Sequence, residues 1–370
     1  MYSGTQIRIT ACLIVKNEQA FLDGCLASLD ERVDEIVVVD TGSTDDSLGI
    51  ATRHGAWLIE TPWRNDFAAA RNIGVDAASS EWILYIDADE RLEVPSREVM
   101  REGLWEADVF AARVFFRTHL HSTLGREYRL FRNDPRLRFK GSMHETIRPD
   151  LDVLQQDIGA RVVDNPSRLI HLGYEGDLTH KHLRNLPLLR RALEQNPDRL
   201  YYWNDLAKTL YELGQVEEAI DVSARGLERG KGRDDEGSRE MLALLAFTNA
   251  GIRLGRNEDV LPLIDWGLSL RPGNWSLQFL RAKALVGLEN YQEALASLDL
   301  LTAQDAAAIC DPMMAHDIRI FGSYAHDLAG VILLRMGRRQ DAAEAFSRAA
   351  AAEPTNPSYR VKALALGGQG

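Results

Sequence analysis

The chain has 370 residues, of which 45% are hydrophobic and 26% are charged, and its formal net charge at pH 7 is −12. This length and composition are ordinary for a globular protein of two domains, and the acidic balance disfavours a nucleic-acid-binding protein, which is more often basic. No apolar run approaches the roughly 20 residues of a membrane-spanning helix, and the first residues lack the pattern of a signal peptide.

The three cysteines, Cys12, Cys25 and Cys310, are odd in number and scattered along the chain. Cys12 and Cys25 fall on a strand and a helix whose patterns indicate burial. We interpret the cysteines as inert core thiols in a reducing environment, rather than as a redox pair or a metal site. The sequence therefore predicts a cytoplasmic protein.

Strand and helix patterns alternate through roughly the first 90 residues. Apolar and β-branched runs predict strands at Ile9–Val15, Glu35–Asp40, Trp57–Glu60 and residues 82–86. Apolar periodicity and capping residues predict helices at residues 20–29, after the turn at 41–46, and at residues 68–78. This rhythm is typical of a parallel sheet.

Acidic residues follow several of these strands. Asp87 and Asp89 come directly after the run WILYI, and Asp40 ends the second strand. Ligands of open α/β sheets bind beyond the carboxyl ends of the strands, where two nearby carboxylates can reach a small hard cation and the phosphates that it carries. Because two acids separated by one residue should occur about eight times by chance in so acidic a chain, only this context makes the pair a candidate site. It indicates an enzyme that handles a nucleoside diphosphate through a divalent metal.

Helical periodicity replaces the strand patterns from about residue 196 onward. Four segments share a turn followed by a polar helix start and a small residue. They are LGQVEEAI (213–220), LGRNEDVL (254–261), LENYQEAL (288–295) and MGRRQDAA (336–343). This is the signature of tetratricopeptide repeats, with insertions at 230–237 and 302–318 and a basic amphipathic bridging helix at 180–193. We expect two domains, at residues 1–185 and 186–370.

Several ordered motifs in the first half resemble a known family. ACLIVKNE, VVVDTGSTDDS, WRNDFAAARNIG and WILYIDADE look like the nucleotide-sugar half of a family-2 inverting glycosyltransferase of the A-type fold. The runs YRLFRNDPRLRFKGSMHETI and IHLGYEG resemble its acceptor half, and the subgroup most similar is a bacterial one with tetratricopeptide repeats. The fold that this implies is an α/β nucleotide-sugar-binding domain with a mostly parallel sheet, followed by an all-α repeat domain.

The resemblance implies a divalent-metal site for Mn²⁺ or Mg²⁺. Asp89 would be the metal ligand, and Asp87 would lie nearer the ribose or the outer sphere of the metal. His171, in the motif IHLGYEG, would complete the metal sphere. An acid pair that caps a turn and an ordinary packed histidine are the structural alternatives.

The resemblance also implies a nucleotide pocket. Its residues would be Glu18, Asp40, Asp66, Arg71, Asn72 and Asp87. A carboxylate can accept the N3–H of uracil, and an arginine can stack on the base or donate to it. A helix-terminal acid at Glu18 and surface salt bridges elsewhere are the alternatives.

The acceptor side departs from the family pattern. Met143-His144-Glu145 stands where many members carry an acid-rich motif. Inverting transfer needs one group to remove the acceptor proton, and Glu145 is the predicted base. His144 as the base or as a ligand of metal or phosphate, and a structural pair of the two, stay open.

The resemblance implies a hexosyltransferase-type enzyme that uses a UDP-linked sugar and acts on a peptide, a protein or a cell-envelope glycan. The alternative is a repeat-based adaptor protein with an inactive transferase-like domain. A nucleotidyltransferase is disfavoured because no Gly-rich basic phosphate loop is found. Peripheral membrane contact and a homo-oligomer formed through the repeats are both compatible with the sequence.

Overall fold

The computed structural model describes residues 7–118, 121–173, 178–311 and 314–367. The chain forms two compact units. The first comprises Met1–Leu120 and Leu124–Asp177, and the second comprises His121–Thr123 and Leu178–Gly370. The domain boundary predicted at residues 185 and 186 lies within a helix of the second unit and stays a prediction.

The described part of the first unit is an α/β domain built on one eight-stranded sheet. Its strands are β1 (Ile9–Val15), β2 (Glu35–Asp40), β3 (Trp57–Glu60), β4 (Trp82–Tyr85), β5 (Glu90–Glu93), β6 (Val109–Arg117), β7 (Gly125–Arg132) and β8 (Arg161–His171). Its helices are α1 (Leu22–Leu29), α2 (Ser47–Arg53), α3 (Phe67–Ala77), α4 (Arg97–Arg101) and α5 (Arg148–Ile158). The strand order is β3-β2-β1-β4-β7-β6-β8-β5.

The four strands predicted from the sequence form the parallel part of this sheet. β1 pairs in parallel with β2 and β4, and β2 pairs in parallel with β3. Their carboxyl ends therefore share one edge. Helices cover both faces, so that Leu13 of β1 packs in one core with Leu26 of α1, whereas Val39 of β2 packs in another with Val75 of α3 and Leu151 of α5. Burial on both faces explains why β1, β2 and β4 are nearly continuous apolar runs.

The remaining strands are mixed in direction. β7 is antiparallel to β4 and to β6, and β8 is parallel to β6. β5 pairs antiparallel with β8, and Glu90 lies opposite His171. Because β5 begins directly after Asp89, this register brings the end of β8 beside the acidic segment that follows β4.

The second unit is helical, as predicted. Its helices are α6 (Thr179–Gln195), α7 (Leu200–Glu212), α8 (Val216–Gly230), α9 (Glu236–Ile252), α10 (Asn257–Leu270), α11 (Trp275–Gly287), α12 (Tyr291–Thr302), α13 (Ser323–Arg335), α14 (Arg339–Ala352) and α15 (Pro357–Ala365), with a 3₁₀ helix at Ile318–Phe321. Each of the four repeat segments forms the turn between two packed helices, from α7 and α8 to α13 and α14. Gly214, Gly255 and Gly337 have positive φ at three of these turns, and Glu289 does so at the fourth. The tetratricopeptide prediction is confirmed.

The predicted insertion at 302–318 has a defined structure in its described part. His316 is fully buried, and its Nδ1 lies 2.8 Å from Ser276 Oγ. The His316 backbone N–H donates to Thr123 Oγ1, and Thr123 N–H donates to the His316 carbonyl. These bonds explain why residues 121–123 belong to the helical unit.

Two of the three cysteines are buried as predicted. Burial raises the pKa of the Cys12 thiol to about 12, so this thiol stays protonated. The prediction was wrong for Cys310, which is exposed because it lies in the insertion that follows α12. Within the described ranges, no helix combines the length and apolar character needed to cross a membrane.

Candidate active site

The strand-end acids lie at the carboxyl edge of the parallel strands. Asp87 follows β4, and its backbone N–H donates to Glu90 Oε2 at 2.9 Å. Asp40 ends β2, and its Oδ2 accepts from the N–H groups of Gly42 and Ser43. Asp40 is buried, and its Oδ1 has no hydrogen-bond partner among the residues described. A buried acceptor without a donor is costly unless a ligand or water supplies one.

Arg71 of α3 joins two of the predicted site residues. Its Nη2 donates to Asp87 Oδ1 at 2.7 Å, and its Nε donates to Glu145 Oε1 at 2.5 Å. The side chain of Arg71 is 7% exposed, and its guanidinium lies 4.9 Å from the ring centre of Tyr85. Burial alone would raise the pKa of the Asp87 carboxyl, but the charges of Arg71 and Arg129 outweigh it and hold this pKa at about 2. Asp87 is therefore ionised at neutral pH.

A closed loop presents the acceptor-side residues. Lys140 and Thr146 exchange two backbone hydrogen bonds at its base. The carbonyl of Ser142, within this loop, accepts from the N–H of Phe67 at the start of α3. His144, at the tip, has φ of 48°, a strained left-handed conformation for a residue with a side chain.

Asn72, the neighbour of Arg71 on α3, also holds the chain just before this loop. Asn72 Nδ2 donates to the Phe139 carbonyl, and its Oδ1 accepts from the Phe139 N–H. The predicted nucleotide ligand Asn72 thus uses its side-chain amide to fix the backbone segment that enters the loop. Consecutive residues of one helix therefore contact Glu145 and the chain just before its loop.

Asp89 and His171 face each other at the ends of two different chain segments. Asp89 Oδ2 lies 3.3 Å from His171 Nε2, and both side chains are mostly buried. The Gly173 N–H donates to His171 Nδ1, so a neutral His171 carries its proton on Nε2, toward Asp89. A Cβ on Gly173 would lie 2.0 Å from Asp89 Oδ2, so only glycine leaves space for this carboxylate. Residues 174–177 of the motif IHLGYEG lie outside the described residues.

Comparison with known proteins identifies both units. Residues 10–113 match the model of glycosyl transferase family 2, and residues 188–221 match a tetratricopeptide repeat model. The chain joins a family 2 glycosyltransferase domain to tetratricopeptide repeats. The family match spans Asp40 to Asp89, whereas Glu145 and His171 lie beyond it.

Similar proteins are known from bacteria. A TPR repeat-containing protein of Synechococcus elongatus is 34% identical over 232 residues, which cover 60% of this chain and 57% of that protein. The SPbeta prophage-derived glycosyltransferase SunS of Bacillus subtilis is 27% identical over 237 residues, which cover 62% of this chain and 55% of SunS. The chain thus spans little more than half the length of these relatives. Among solved structures, glucosyl-3-phosphoglycerate synthase of Mycobacterium tuberculosis is 20% identical, with a TM-score of 0.38 over 51% of this chain and 79% of the synthase.

Two residues predicted for the nucleotide pocket of the transferase domain have local backbone roles. Asp66 is the N-cap of α3, and its Oδ1 accepts from the Ala69 N–H at 2.9 Å. The Glu18 N–H donates to Ser47 Oγ, and its carbonyl accepts from Leu22, which starts α1. These contacts hold the segment after β1 against the start of α2 and form the first turn of α1. The predicted nucleotide contacts of Asp66 and Glu18 stay predictions.

A buried ion pair that the sequence did not predict supports the Asp87 turn. Arg129 of β7 donates to both oxygens of Glu90, at 2.8 and 3.0 Å, and to Glu127 at 2.8 Å. Burial raises the pKa of the Glu90 carboxyl although Arg129 opposes the rise. Arg129 is buried because the antiparallel pairing of β7 with β4 places it beneath Tyr85. The available sequence signal for this ion pair was Glu90, the acid that directly follows Asp87-Ala88-Asp89.

The connected cluster in the transferase domain is rich in negative charge. Its carboxyl groups belong to Asp87, Glu90, Glu127 and Glu145, and its guanidinium groups to Arg71 and Arg129. Burial favours the neutral form of Glu90, so the other three carboxylates, when ionised, exceed the two arginines by one. Buried charge of one sign is costly, so the cluster favours binding of a cation nearby.

Proposed function

We propose that the chain is a metal-dependent inverting glycosyltransferase that moves a sugar from a UDP-linked donor to an acceptor. The observation that carries this proposal is the guanidinium of Arg71, which links the donor-side carboxylate Asp87 to the acceptor-side carboxylate Glu145. Inverting transfer requires a donor site and a base at one reaction centre, and this contact joins a candidate from each side.

The donor set at Asp89 and His171 fits a divalent cation. Within the described ranges, no group of three or more His, Cys, Asp or Glu side chains could hold a metal ion. Mg²⁺ and Mn²⁺ accept such incomplete sites, because substrate phosphates and waters supply the remaining ligands. Asp89 Oδ2 and, after its proton leaves, His171 Nε2 would hold the ion, and the excess negative charge nearby favours it. When bound, the ion would supply positive charge beside the leaving diphosphate.

Glu145 is the proposed base. Arg71 binds its Oε1, the one oxygen of this carboxylate with a hydrogen bond in the described part of the chain. The other oxygen can accept the proton of an acceptor hydroxyl while the sugar carbon is attacked from the opposite face. Arg71 keeps the group oriented during this step. His144 beside it is the second candidate for the base.

The proposed acceptor is a peptide, a protein or a cell-envelope glycan selected by the repeats. Helical repeat arrays present extended surfaces to a partner. The transferase domain would then supply the chemistry and the repeats the choice of acceptor.

Two assays on the full chain test the proposed function. Calorimetry with UDP and MnCl₂ measures donor-site binding, and a panel of UDP-sugars measures slow hydrolysis, in which water replaces the acceptor. We expect Mn²⁺-dependent UDP binding and hydrolysis of at least one UDP-sugar. A folded chain that does neither, yet still binds a partner through its repeats, would instead be the adaptor protein with an inactive domain.

A further inference from the structure

Arg71 is placed to control the spacing between the two sides of the site. Asp87 follows β4, and Glu145 lies in the closed loop of residues 140–146, so the two carboxylates belong to segments far apart in the chain. One guanidinium takes one oxygen from each of them. Movement of either carboxylate can therefore be transmitted to the other through Arg71.

The guanidinium itself has little freedom. It is 7% exposed and lies 4.9 Å from the ring centre of Tyr85 and 5.7 Å from that of Phe139. Asn72, the next residue of α3, fixes the Phe139 backbone by two hydrogen bonds. Aromatic contact and backbone anchoring thus hold the arginine and the approach to the Glu145 loop together.

The chemistry of this link depends on arginine. Nε and Nη2 are two donors at fixed positions on one planar group, and each serves a different carboxylate. Lysine carries the same charge on one ammonium group at the end of a flexible chain. It therefore cannot provide two donors that point at two carboxylates from fixed positions. The two bonds to carboxylates also raise the pKa of Arg71, which stays charged.

We propose that Arg71 is a positioning residue that sets the distance between donor-side Asp87 and the base Glu145, and that it does not recognise the nucleotide base. This inference rests on the proposed function. Its physical basis is that displacement of a reacting group by about 1 Å can reduce a rate about 10²-fold without a change in ligand affinity. The nucleotide contact implied by the family resemblance would give the opposite pattern, a loss of affinity.

The test compares Arg71→Lys with Arg101→Lys in the full chain. Arg101 is a matched control, because it forms an ion pair of similar burial with Asp34 at 2.7 Å and contacts none of the proposed site residues. Calorimetry with UDP and MnCl₂ gives Kd. The rate of hydrolysis of the UDP-sugar that the wild-type chain turns over fastest gives kcat. A crystal structure of Arg71→Lys gives the position of residues 140–146.

We expect Arg71→Lys to lower kcat about 10²-fold, to change Kd for UDP less than about threefold, and to displace Glu145. Arg101→Lys should leave both constants near the wild-type values. The positioning role would be overturned if Kd for UDP rises by as large a factor as kcat falls, or if kcat is unchanged. If Arg71→Lys does not fold, Arg71→Gln enters the same assays under the same criteria.

Failure of the proposed function has a different signature. In that case the wild-type chain neither binds UDP nor hydrolyses any UDP-sugar. The crystal structure of the Arg71 variant still decides the positioning role, because a loop that stays in place without the guanidinium contradicts it.

Discussion

Replacing Glu145 by glutamine tests the role of the proposed base separately from the roles of the other site residues. Glutamine matches the shape of glutamate and keeps an acceptor oxygen for Arg71 Nε, which is 2.5 Å from the present carboxylate. It has no oxygen that can hold the proton of an acceptor hydroxyl. We therefore expect Glu145→Gln to bind UDP normally and to lose roughly 10²–10⁴-fold in turnover, the usual scale for a general base.

The expected cost in stability is small by comparison. Arg71 stays charged, so its bond to the glutamine oxygen remains a hydrogen bond to a charged group, which contributes about 1.5–3 kcal/mol, and Glu145→Gln should lose at most about 1–2 kcal/mol. The larger penalty of an unpaired buried charge does not arise, because Arg71 keeps its bond to Asp87. Asp34→Asn is a control of matched burial, since Asp34 pairs with Arg101 as Glu145 pairs with Arg71.

The assay combines UDP calorimetry, UDP-sugar hydrolysis and urea unfolding for Glu145→Gln, His144→Ala and the Asp34 control. Normal affinity, a near-normal unfolding midpoint and a large fall in turnover only in Glu145→Gln would agree with the assignment. If Glu145→Gln retains turnover within about threefold of the wild type while His144→Ala loses it, the base is the histidine and the reasoning from Arg71 is refuted.

Three further results are expected. Asp89→Asn should fold normally but lose Mn²⁺-dependent UDP-sugar hydrolysis, because a hard cation then lacks its charged protein ligand; near-normal activity in MnCl₂ would contradict this. Gly173→Ala should weaken Mn²⁺–UDP binding by displacing Asp89, whose Oδ2 would lie 2.0 Å from the new Cβ, whereas Gly237→Ala, whose nearest contact is 3.5 Å, should have no effect. The Asp87 pKa of about 2 is below the ordinary value, so its ion pair stabilises the fold above about pH 4 and is lost as the pH falls through 2. Urea unfolding between pH 2.5 and 5 should show a weaker rise of stability with pH in Asp87→Asn than in the wild type.

The parallel part of the fold was predictable because its information is local. β1, β2 and β3 begin and end at the residues that the apolar runs indicate, and α3 differs from its predicted bounds by one residue at each end. Alternating strands and helices leave a period in the sequence that can be read without knowledge of distant contacts. The repeat turns were equally accessible, because a turn and a small residue recur in each repeat.

The antiparallel part and its consequences were not predictable in this way. Pairing of β5 with β8, which places Glu90 opposite His171, depends on register between distant segments. The contact of Arg71 with Glu145 joins positions 74 residues apart, and no local pattern reports it. The burial of Arg129 likewise depends on the pairing of two distant segments, β7 and β4. Strand-end acids could thus be predicted as a group, whereas the arginines that pair with them could not.

The most direct test of the central claim is the configuration of the first sugar that the wild-type chain releases. Proton NMR can follow hydrolysis of an α-linked UDP-sugar in MnCl₂ and resolve the anomers before they interconvert. We expect the β-anomer to appear first and a chelator to stop the reaction. Initial release of the α-anomer, or hydrolysis that is unchanged by the chelator, would contradict metal-dependent inverting transfer.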